Sequence, residues 1–271
     1  MNRWLYICIT LMFNAGCCLT MEKEKKQRIS EIKEENAIRQ QLIKAISNYN
    51  LSWIENNVSK LPKEVRYQIV NSANWRNNAL YAAVEVYTDA LRLKEADKAQ
   101  IASKIFERLL EYGADINRPF KSVRYNDVTL LEWAVSISDP DGVKLLLDNG
   151  ADFEQKGTFF ESSHEPQTPL EFINNDIKKN EDLIKGMLKK PGFDGRIKQI
   201  RETIEYEIKI KALLEEAPIK REAARKKALE QELKAKEGER LLNRVQQNPS
   251  EQSLDFLQSL KREGGDIRMK D

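Results

Sequence analysis

Apolar residues recur at steps of three and four along most of the chain, which is the spacing of amphipathic helices. Two such stretches, SKIFERLLEYGAD and GVKLLLDNGAD, end in the same Gly-Ala-Asp triplet. Gly113 and Gly150 can take a positive φ and so close the end of a helix. Asp115 and Asp152 can then accept hydrogen bonds from nearby backbone N–H groups. The pattern predicts two short helices, each closed by a glycine and followed by a tight turn.

The segment upstream of the second triplet, TLLEWAVSISDPDG, predicts a further helix and a turn. Thr129 can cap a helix whose Leu131, Ala134 and Val135 face the core. Trp133 occupies an inward position among them. The DPDG sequence then breaks that helix and turns the chain back. A capped helix, a turn, a second helix and a glycine-closed loop thus form one structural unit.

This unit resembles an ankyrin repeat, because the residues read Thr-x-Leu-x-x-Ala and then Val-x-x-Leu-Leu-x-x-Gly-Ala-Asp. Ankyrin repeats have a period of about 33 residues. Gly113 and Gly150 are further apart than that, and the extra residues fall in the loop before Thr129. A second start, TPLEFI, begins at Thr168, and its unit closes at Gly192. The resemblance implies a solenoid of helix-turn-helix units that binds other proteins and carries no catalysis.

The boundaries of this ankyrin-like region are expected at residues 78–194. Residues 21–77 are expected to form N-terminal helices or a degenerate cap repeat. The first full unit starts near Asn78, without the threonine of the family. To reach its closing glycine it needs two helices about two turns longer than usual, one on either side of the segment from Lys94 to Asp97.

Two long loops in these units carry aromatic and basic residues. RPFKSVRYND contains Phe120, Arg124 and Tyr125, and GTFFESSHEP contains Phe159 and Phe160. Aromatic and arginine side chains are frequent anchors of protein–protein interfaces, and loops longer than a framework needs often carry function. We therefore expect these five residues to contact a protein partner. The alternative is that the aromatic rings fold back and seal the edge of the core.

A charged helical region is expected over residues 195–247. Isoleucines recur at helical spacing from Ile197 to Ile208 and predict an amphipathic helix, which Pro218 would interrupt. The run of Lys, Arg, Glu and Ala beyond it is either a coiled-coil or polyanion-binding arm, or a solvated helix stabilised by charge pairs. Residues 248–271 are expected to form a capping helix or a degenerate repeat.

Residues 1–20 differ in composition from the rest of the chain. Arg3 precedes an apolar stretch, and small residues separate that stretch from Cys17. This order is typical of a secretory signal peptide, and the stretch is too short to span a bilayer as a helix. We therefore expect an exported protein in the periplasm, at the cell surface or outside the cell. The Ala-Gly-Cys sequence also resembles the end of a bacterial lipoprotein box, although Asn14 replaces its leucine, so lipidation of Cys17 is the alternative to simple cleavage.

The net charge and the positions of reactive side chains argue against several classes of function. The 45 basic and 43 acidic residues leave a net charge of +2, so no basic excess indicates nucleic acid as a partner. All three cysteines lie in residues 1–20, and the only histidine, His164, lies in a predicted loop. No Gly-rich phosphate loop, metal-ligand spacing or Gly-x-Ser-x-Gly motif is present. We therefore expect no catalysis, no cofactor and no metal.

The sequence thus predicts an exported, non-catalytic, all-α protein that binds an unidentified protein partner. The alternative is a structural scaffold, which is tethered to a membrane through Cys17 or self-associates through its C-terminal helices. In either case the membrane would be contacted only through a lipid on Cys17.

Overall fold

The structure is a computed structural model that describes residues 25, 27–72, 74–121, 128–157, 166–189 and 192–247. Within these ranges the secondary structure is helical, with isolated β-bridges and no strand. This confirms the predicted all-α class for the described part of the chain. The leader over 1–20, with Cys17, and the segment 248–271 lie outside the described residues.

Short connections join most of the described helices, and longer loops separate α5 from α6 and α7 from α8. They are α1 (27–47), α2 (Leu51–Asn57), α3 (Lys63–Val70), the 3-10 helix η1 (Trp75–Asn77), α4 (Ala79–Arg92), α5 (Ala96–Glu111), α6 (Leu130–Ser136), α7 (Pro140–Asp148), α8 (Pro169–Met187) and α9 (Asp194–Gln247). The chain divides into two compact units, Met1–Glu215 and Glu216–Asp271. In the first unit, α4 packs against α5 and α7, α6 packs against α7 and α8, and α2 packs against α5.

Side-chain caps start the first helix of each predicted ankyrin-like repeat. Thr129 and Thr168 each accept a hydrogen bond, at 3.2 Å, from the backbone N–H of the glutamate three residues later. Those glutamates, Glu132 and Glu171, accept in return from the N–H of the threonine at 2.7 and 2.8 Å. Asn78 caps α4 in the place of a threonine. The predicted caps are therefore confirmed, and two of them are reciprocal capping boxes, which satisfy two backbone donors each.

The helices α4 and α5 differ from the later pair in length. They contain 14 and 16 residues, whereas α6 and α7 contain 7 and 9. The difference is about two turns in each helix, and the break between α4 and α5 falls at Lys94. This confirms the two lengthened helices that the sequence predicts around Lys94.

The turns inside three helix pairs share one backbone conformation. Tyr49, Lys94 and Ser138 lie between α1 and α2, α4 and α5, and α6 and α7, and their φ angles are 54°, 59° and 55°. In each turn the next N–H donates to the carbonyl of an alanine five residues earlier, at 2.8, 2.8 and 3.0 Å. The accepting residues are Ala45, Ala90 and Ala134. A left-handed residue followed by this bond is a standard way to end a helix, so the three pairs are built alike.

The loops after α5 and α7 close as the sequence predicts. Gly113 and Gly150 have φ angles of 94° and 88°, and Gly192 has 90°. A side-chain oxygen of Asp115, and likewise of Asp152, accepts a hydrogen bond at 3.0 Å from the N–H two residues later. The glycines therefore end the helices, and the aspartates fix the turns that follow.

Asparagine side chains join each of these loops to the segment before it. The N–H of Asp115 donates to Asn71 Oδ1 at 2.7 Å, and the N–H of Asp152 donates to Asn117 Oδ1 at 2.7 Å. Asn71 Nδ2 also donates to the carbonyl of Gly113 at 2.8 Å. The same polar link thus occurs twice along the first unit, between segments that are distant in sequence.

The core of the first unit is continuous from α1 to the first part of α9. Phe106 and Phe120 are among its largest fully buried side chains. The predicted inward positions of α6, namely Leu131, Ala134, Val135 and Trp133, are all buried. Leu130 and Glu132 of the same helix are buried as well, so α6 is buried on more than its predicted inward face.

The segment from Thr168 to Gly192 departs from the predicted helix-turn-helix unit. It contains a single helix, α8, of 19 residues, so the prediction of two short helices there is wrong. The middle of α8 contains no proline, glycine or left-handed residue that could break it. Instead Ile184 and Met187 of α8 pack against Ile197 of α9.

The predicted interruption at Pro218 is wrong, and the predicted isoleucine stripe of α9 holds from Ile197 to Ile204 but not at Ile208. The helix does not end at Pro218, since a proline in a helix removes one hydrogen bond but leaves the flanking Lys, Glu and Ala free to stay helical. Ile208 is 54% exposed, and the buried positions of this part of α9 include Glu207, Ile210 and Leu214. The buried stripe therefore runs through an acidic residue rather than through Ile208.

The described side chains of the second unit are mostly charged and largely solvent-facing. All those from residue 218 to 240 are exposed. Lys220 pairs with Glu216 at 3.0 Å and Lys236 with Glu232 at 2.6 Å, in each case four residues apart. Such pairs stabilise an exposed helix by a few tenths of a kcal/mol, about 0.2–0.5 each.

Candidate functional site

Four aromatic rings from four different segments meet at one edge of the first unit. The Tyr81 ring on α4 lies at the centre, with its centroid 4.6 Å from Trp133 on α6. Trp75 of η1 and Phe120 of the loop after α5 approach it edge-on at 5.4 and 5.8 Å. Edge-on and tilted contacts at these distances are favourable arrangements for aromatic rings. This aromatic cluster joins the loop after α5 to the helices behind it.

Two backbone bridges close the bases of the predicted binding loops. Phe120 and Val128 exchange both hydrogen bonds, at 2.9 and 3.2 Å, on either side of segment 122–127. Gly157 and Gln167 do the same, at 3.0 and 3.1 Å, on either side of segment 158–165. The N–H of Trp75 also donates to the carbonyl of Lys121 at 3.2 Å. The ends of both segments are therefore fixed to the body of the first unit.

The structure corrects one of the five predicted contact residues. Phe120 is only 1% exposed and packs in the aromatic cluster, so its predicted role as an exposed contact is wrong. The Phe120 ring instead folds back and seals the core, which is the alternative that the sequence analysis gave for these aromatic rings. Arg124, Tyr125, Phe159 and Phe160 lie outside the described residues, and their role in binding stays a prediction.

Two arginines stack on aromatic rings near the first base, and of these four residues only Arg118 belongs to a loop that the sequence analysis singled out. The guanidinium of Arg76 sits over the Trp75 ring at 5.3 Å. The guanidinium of Arg118 sits over the Tyr67 ring at 5.8 Å, and Tyr67 is 45% exposed. An arginine stacked on an aromatic ring is pre-ordered for contact with a partner. Trp75 and Arg76 form the 3-10 helix η1, Tyr67 lies within α3, and Arg118 lies in the loop after α5, so these pairings come from tertiary contacts and not from a periodic pattern.

The base of the second loop, Gly157 with Gln167, contacts the capping box of α6. Glu132 is buried, and a Cβ at Gly157 would overlap its carboxylate, so only glycine fits there. Burial raises the pKa of Glu132, and the hydrogen bonds from Thr129 partly oppose that rise. Burial also raises the pKa of Asp139, whose carboxylate caps α7 through the N–H of Gly142 at 3.2 Å. Both carboxyl groups therefore act as helix caps.

A cavity of about 410 Å³ lies between α2 and α5. It is lined by Leu51, Glu55, Lys104, Glu107, Arg108 and Glu111. Arg108 pairs with Glu55 at 3.1 Å and with Glu111 at 2.5 Å. Three glutamates, one lysine and one arginine line it beside a single leucine, so the cavity lacks the mostly apolar lining that is usual for a ligand site.

Neither the comparisons with known proteins nor the searches for membrane-spanning helices and metal sites identify a site in the described residues. No protein-family model, curated protein or solved structure matches the chain. In the described part of the chain, no helix is long and apolar enough to cross a membrane. The same residues include no group of three or more His, Cys, Asp or Glu side chains that could hold a metal ion.

Proposed function

We propose that this chain is a divergent ankyrin-repeat protein that binds another protein, without catalysis, through the edge formed by its two loop bases. The observation that carries the proposal is the pair of closed bases, Phe120 with Val128 and Gly157 with Gln167. The two bases flank the segments 122–127 and 158–165, which are aromatic and basic in sequence. We call the two bases, together with Trp75, the loop edge.

Repetition of backbone detail supports the ankyrin-repeat part of the proposal. The turns at Tyr49, Lys94 and Ser138 are alike, and the loops at Gly113 and Gly150 are alike. In a solenoid each unit contacts its neighbours, so equivalent bonds recur from unit to unit. The cross-links from asparagine to the next loop recur in this way. The single long helix α8 is the main departure from the family pattern.

The chemistry of the loop edge suits a protein partner. Arg124, Tyr125, Phe159 and Phe160 lie in the segments that the bases enclose, and such side chains are over-represented among binding hot spots. Fixing both ends of a segment lowers the entropy that is lost when a partner orders it. The arginine stacked on Trp75 adds a cation at the rim.

Alanine replacement of Arg124, Tyr125, Phe159 and Phe160 together tests this proposal. The variant should keep its circular dichroism and melting temperature but lose a partner that the unaltered chain captures and that is identified by mass spectrometry. Each true anchor contributes about 2 kcal/mol, so losing two should weaken binding by more than about a hundredfold. Tyr206→Ala, an exposed aromatic on α9, is the control and should bind normally.

Two outcomes of this experiment would contradict the proposed site. If the fourfold variant unfolds, the four side chains belong to the core, as Phe120 does. If it folds and binds normally, the partner contacts another surface.

Exposed apolar residues in the second unit favour one alternative function, self-association as a scaffold. Ile219, Leu229 and Leu233 are all exposed there, and burial of such side chains between copies would be favourable. Sedimentation velocity should then show a mass that rises with concentration, and replacing the three residues with glutamate should abolish the rise. A monomeric mass at all concentrations would rule this alternative out.

Export of the chain is a separate proposal, which rests on the composition of residues 1–20. We expect the exported protein to lack Met1, because an apolar stretch after Arg3 and before small residues fits cleavage by a signal peptidase. Intact mass of exported material tests this expectation. A mass that retains Met1 would exclude cleavage, and an added diacylglycerol on Cys17 would indicate a membrane-tethered lipoprotein.

A further inference from the structure

Glu207 is a fully buried acidic residue in the first part of α9, with 0% of its surface exposed. The amide Nδ2 of Asn180 on α8 donates to its Oε1 at 2.8 Å. Its Oε2 is also buried and has no hydrogen-bond partner. An ionised carboxylate in such a place loses its hydration and gains too little in return. The surroundings therefore favour the protonated form of Glu207.

Asp176 faces Glu207 from α8, one helical turn before Asn180. Its carboxyl group is within hydrogen-bonding reach of Glu207, and it is the ionisable side chain that acts on Glu207 among the described residues. Burial, together with the negative charge of Asp176, raises the pKa of Glu207 to about 7, although the Asn180 bond opposes the rise. When Glu207 is protonated, its O–H can donate to Asp176. Two carboxyl groups this close are disfavoured when both are ionised.

Apolar contacts lie on both sides of this polar group along α9. Toward the start of the helix, Ile197 packs against Ile184 and Met187 of α8. Toward residue 215, Ile210 and Leu214 join the main core. The polar group thus occupies the middle of the surface through which the first part of α9 packs on the unit.

We propose that Glu207, Asp176 and Asn180 form a proton-dependent lock, which holds residues 194–215 of α9 on α8 while the two carboxyl groups share a proton. Loss of that proton leaves two negative charges in contact and loosens this part of α9. The lock is closed in mildly acidic surroundings and weakened in mildly alkaline ones. It does not depend on the binding function proposed for the loop edge.

The sign of the pH dependence of stability follows from whether the folded or the unfolded chain binds the proton of Glu207 more tightly. The folded chain holds the proton on Glu207 to higher pH than the unfolded chain, in which glutamate titrates normally. The stability that this proton contributes is complete below the ordinary pKa of glutamate and is lost as the pH rises through about 7. Between about pH 5 and about pH 8.5, the unfolding equilibrium constant should rise on the order of fifty-fold from this group.

Urea unfolding of the full chain across this pH range, compared with Glu207→Gln, tests the lock. Glutamine keeps an oxygen for Asn180 and supplies an N–H for Asp176. The unfolding equilibrium constant of the variant should therefore lack the fifty-fold rise with pH. Glu132 and Asp139 are present in both proteins, so their titration cancels in the comparison. Glu205→Gln, on the same helix but exposed, should keep the full pH dependence. Hydrogen exchange should accelerate with pH in peptides from 194–215 of the unaltered chain beyond the intrinsic rate, and not in Glu207→Gln.

The proposal is overturned if Glu207→Gln retains the pH dependence of the unaltered chain, or if exchange in 194–215 rises equally in both. If Glu207→Gln does not fold, Asp176→Asn decides the question. That variant removes the neighbouring charge but leaves Glu207 buried, so the midpoint of the stability change should move to lower pH. An unchanged midpoint in Asp176→Asn would also overturn the lock.

Discussion

Replacing Trp133 with alanine would remove the largest side chain of α6 from the aromatic cluster. Its ring lies 4.6 Å from that of Tyr81 and is only 9% exposed. The replacement leaves a space that borders α4 and the capped start of α6. Because Tyr81 also contacts Trp75 and Phe120, these neighbours can fill the space only by giving up contacts with one another.

The cost of this replacement can be worked out from burial. A tryptophan buries about 150–250 Å², which corresponds to about 4–6 kcal/mol at about 25 cal/mol per Å² and is an upper estimate. Measured replacements of buried Phe or Trp by alanine cost about 3–5 kcal/mol. Since Trp133 reaches the surface at one edge, water can enter part of the space. We therefore expect a loss of about 3–5 kcal/mol.

Urea denaturation followed by circular dichroism measures this loss. The midpoint should fall while the denaturant slope stays constant, since the fold itself is unchanged. Leu93→Ala removes an exposed apolar side chain between α4 and α5 and should change stability by less than about 0.5 kcal/mol. A loss below about 1 kcal/mol for Trp133→Ala would refute the packing of α6 against α4 described above.

Two further predictions use the same unfolding assay. Asn117→Ala removes the acceptor for the N–H of Asp152 and should cost about 1–2 kcal/mol, so an unchanged midpoint would mean that water replaces this link. Ser138→Gly relieves a left-handed residue and should stabilise the chain by up to about 0.5 kcal/mol, whereas Gly150→Ala places a Cβ at positive φ and should cost about 1 kcal/mol. Effects of the same sign at both sites would contradict the assigned turn conformations.

Features that depend on a few neighbouring residues were predictable from the sequence. The caps at Thr129 and Thr168 and the closures at Gly113 and Gly150 each involve residues within five positions of one another. The two lengthened helices around Lys94 were predictable from spacing alone. Local hydrogen bonding and helical period are enough for such features.

Features that depend on distant residues were not predictable. Asn71 binds the loop at Asp115, far along the chain, and nothing in its own neighbourhood indicates this partner. Phe120 lies in a polar stretch that favours exposure, yet its ring meets Tyr81 from α4. The turn at Lys94 uses a residue type that rarely takes positive φ. In each case tertiary contacts override the local preference.

The failures of local prediction concentrate in α8 and α9. The turn predicted within α8 is missing, Ile208 of α9 faces solvent, and Glu207 of α9 occupies a core position. Departures from local rules are expected where a group does something other than stabilise the fold. A glutamine at position 207 could satisfy Asn180 and Asp176 at every pH, whereas the glutamate does so only while it holds a proton. Above about pH 7, Glu207→Gln should therefore be more stable than the unaltered chain. The substitution removes the free-energy cost of a buried, deprotonated Glu207 beside Asp176, and this cost is what makes the contact sensitive to pH.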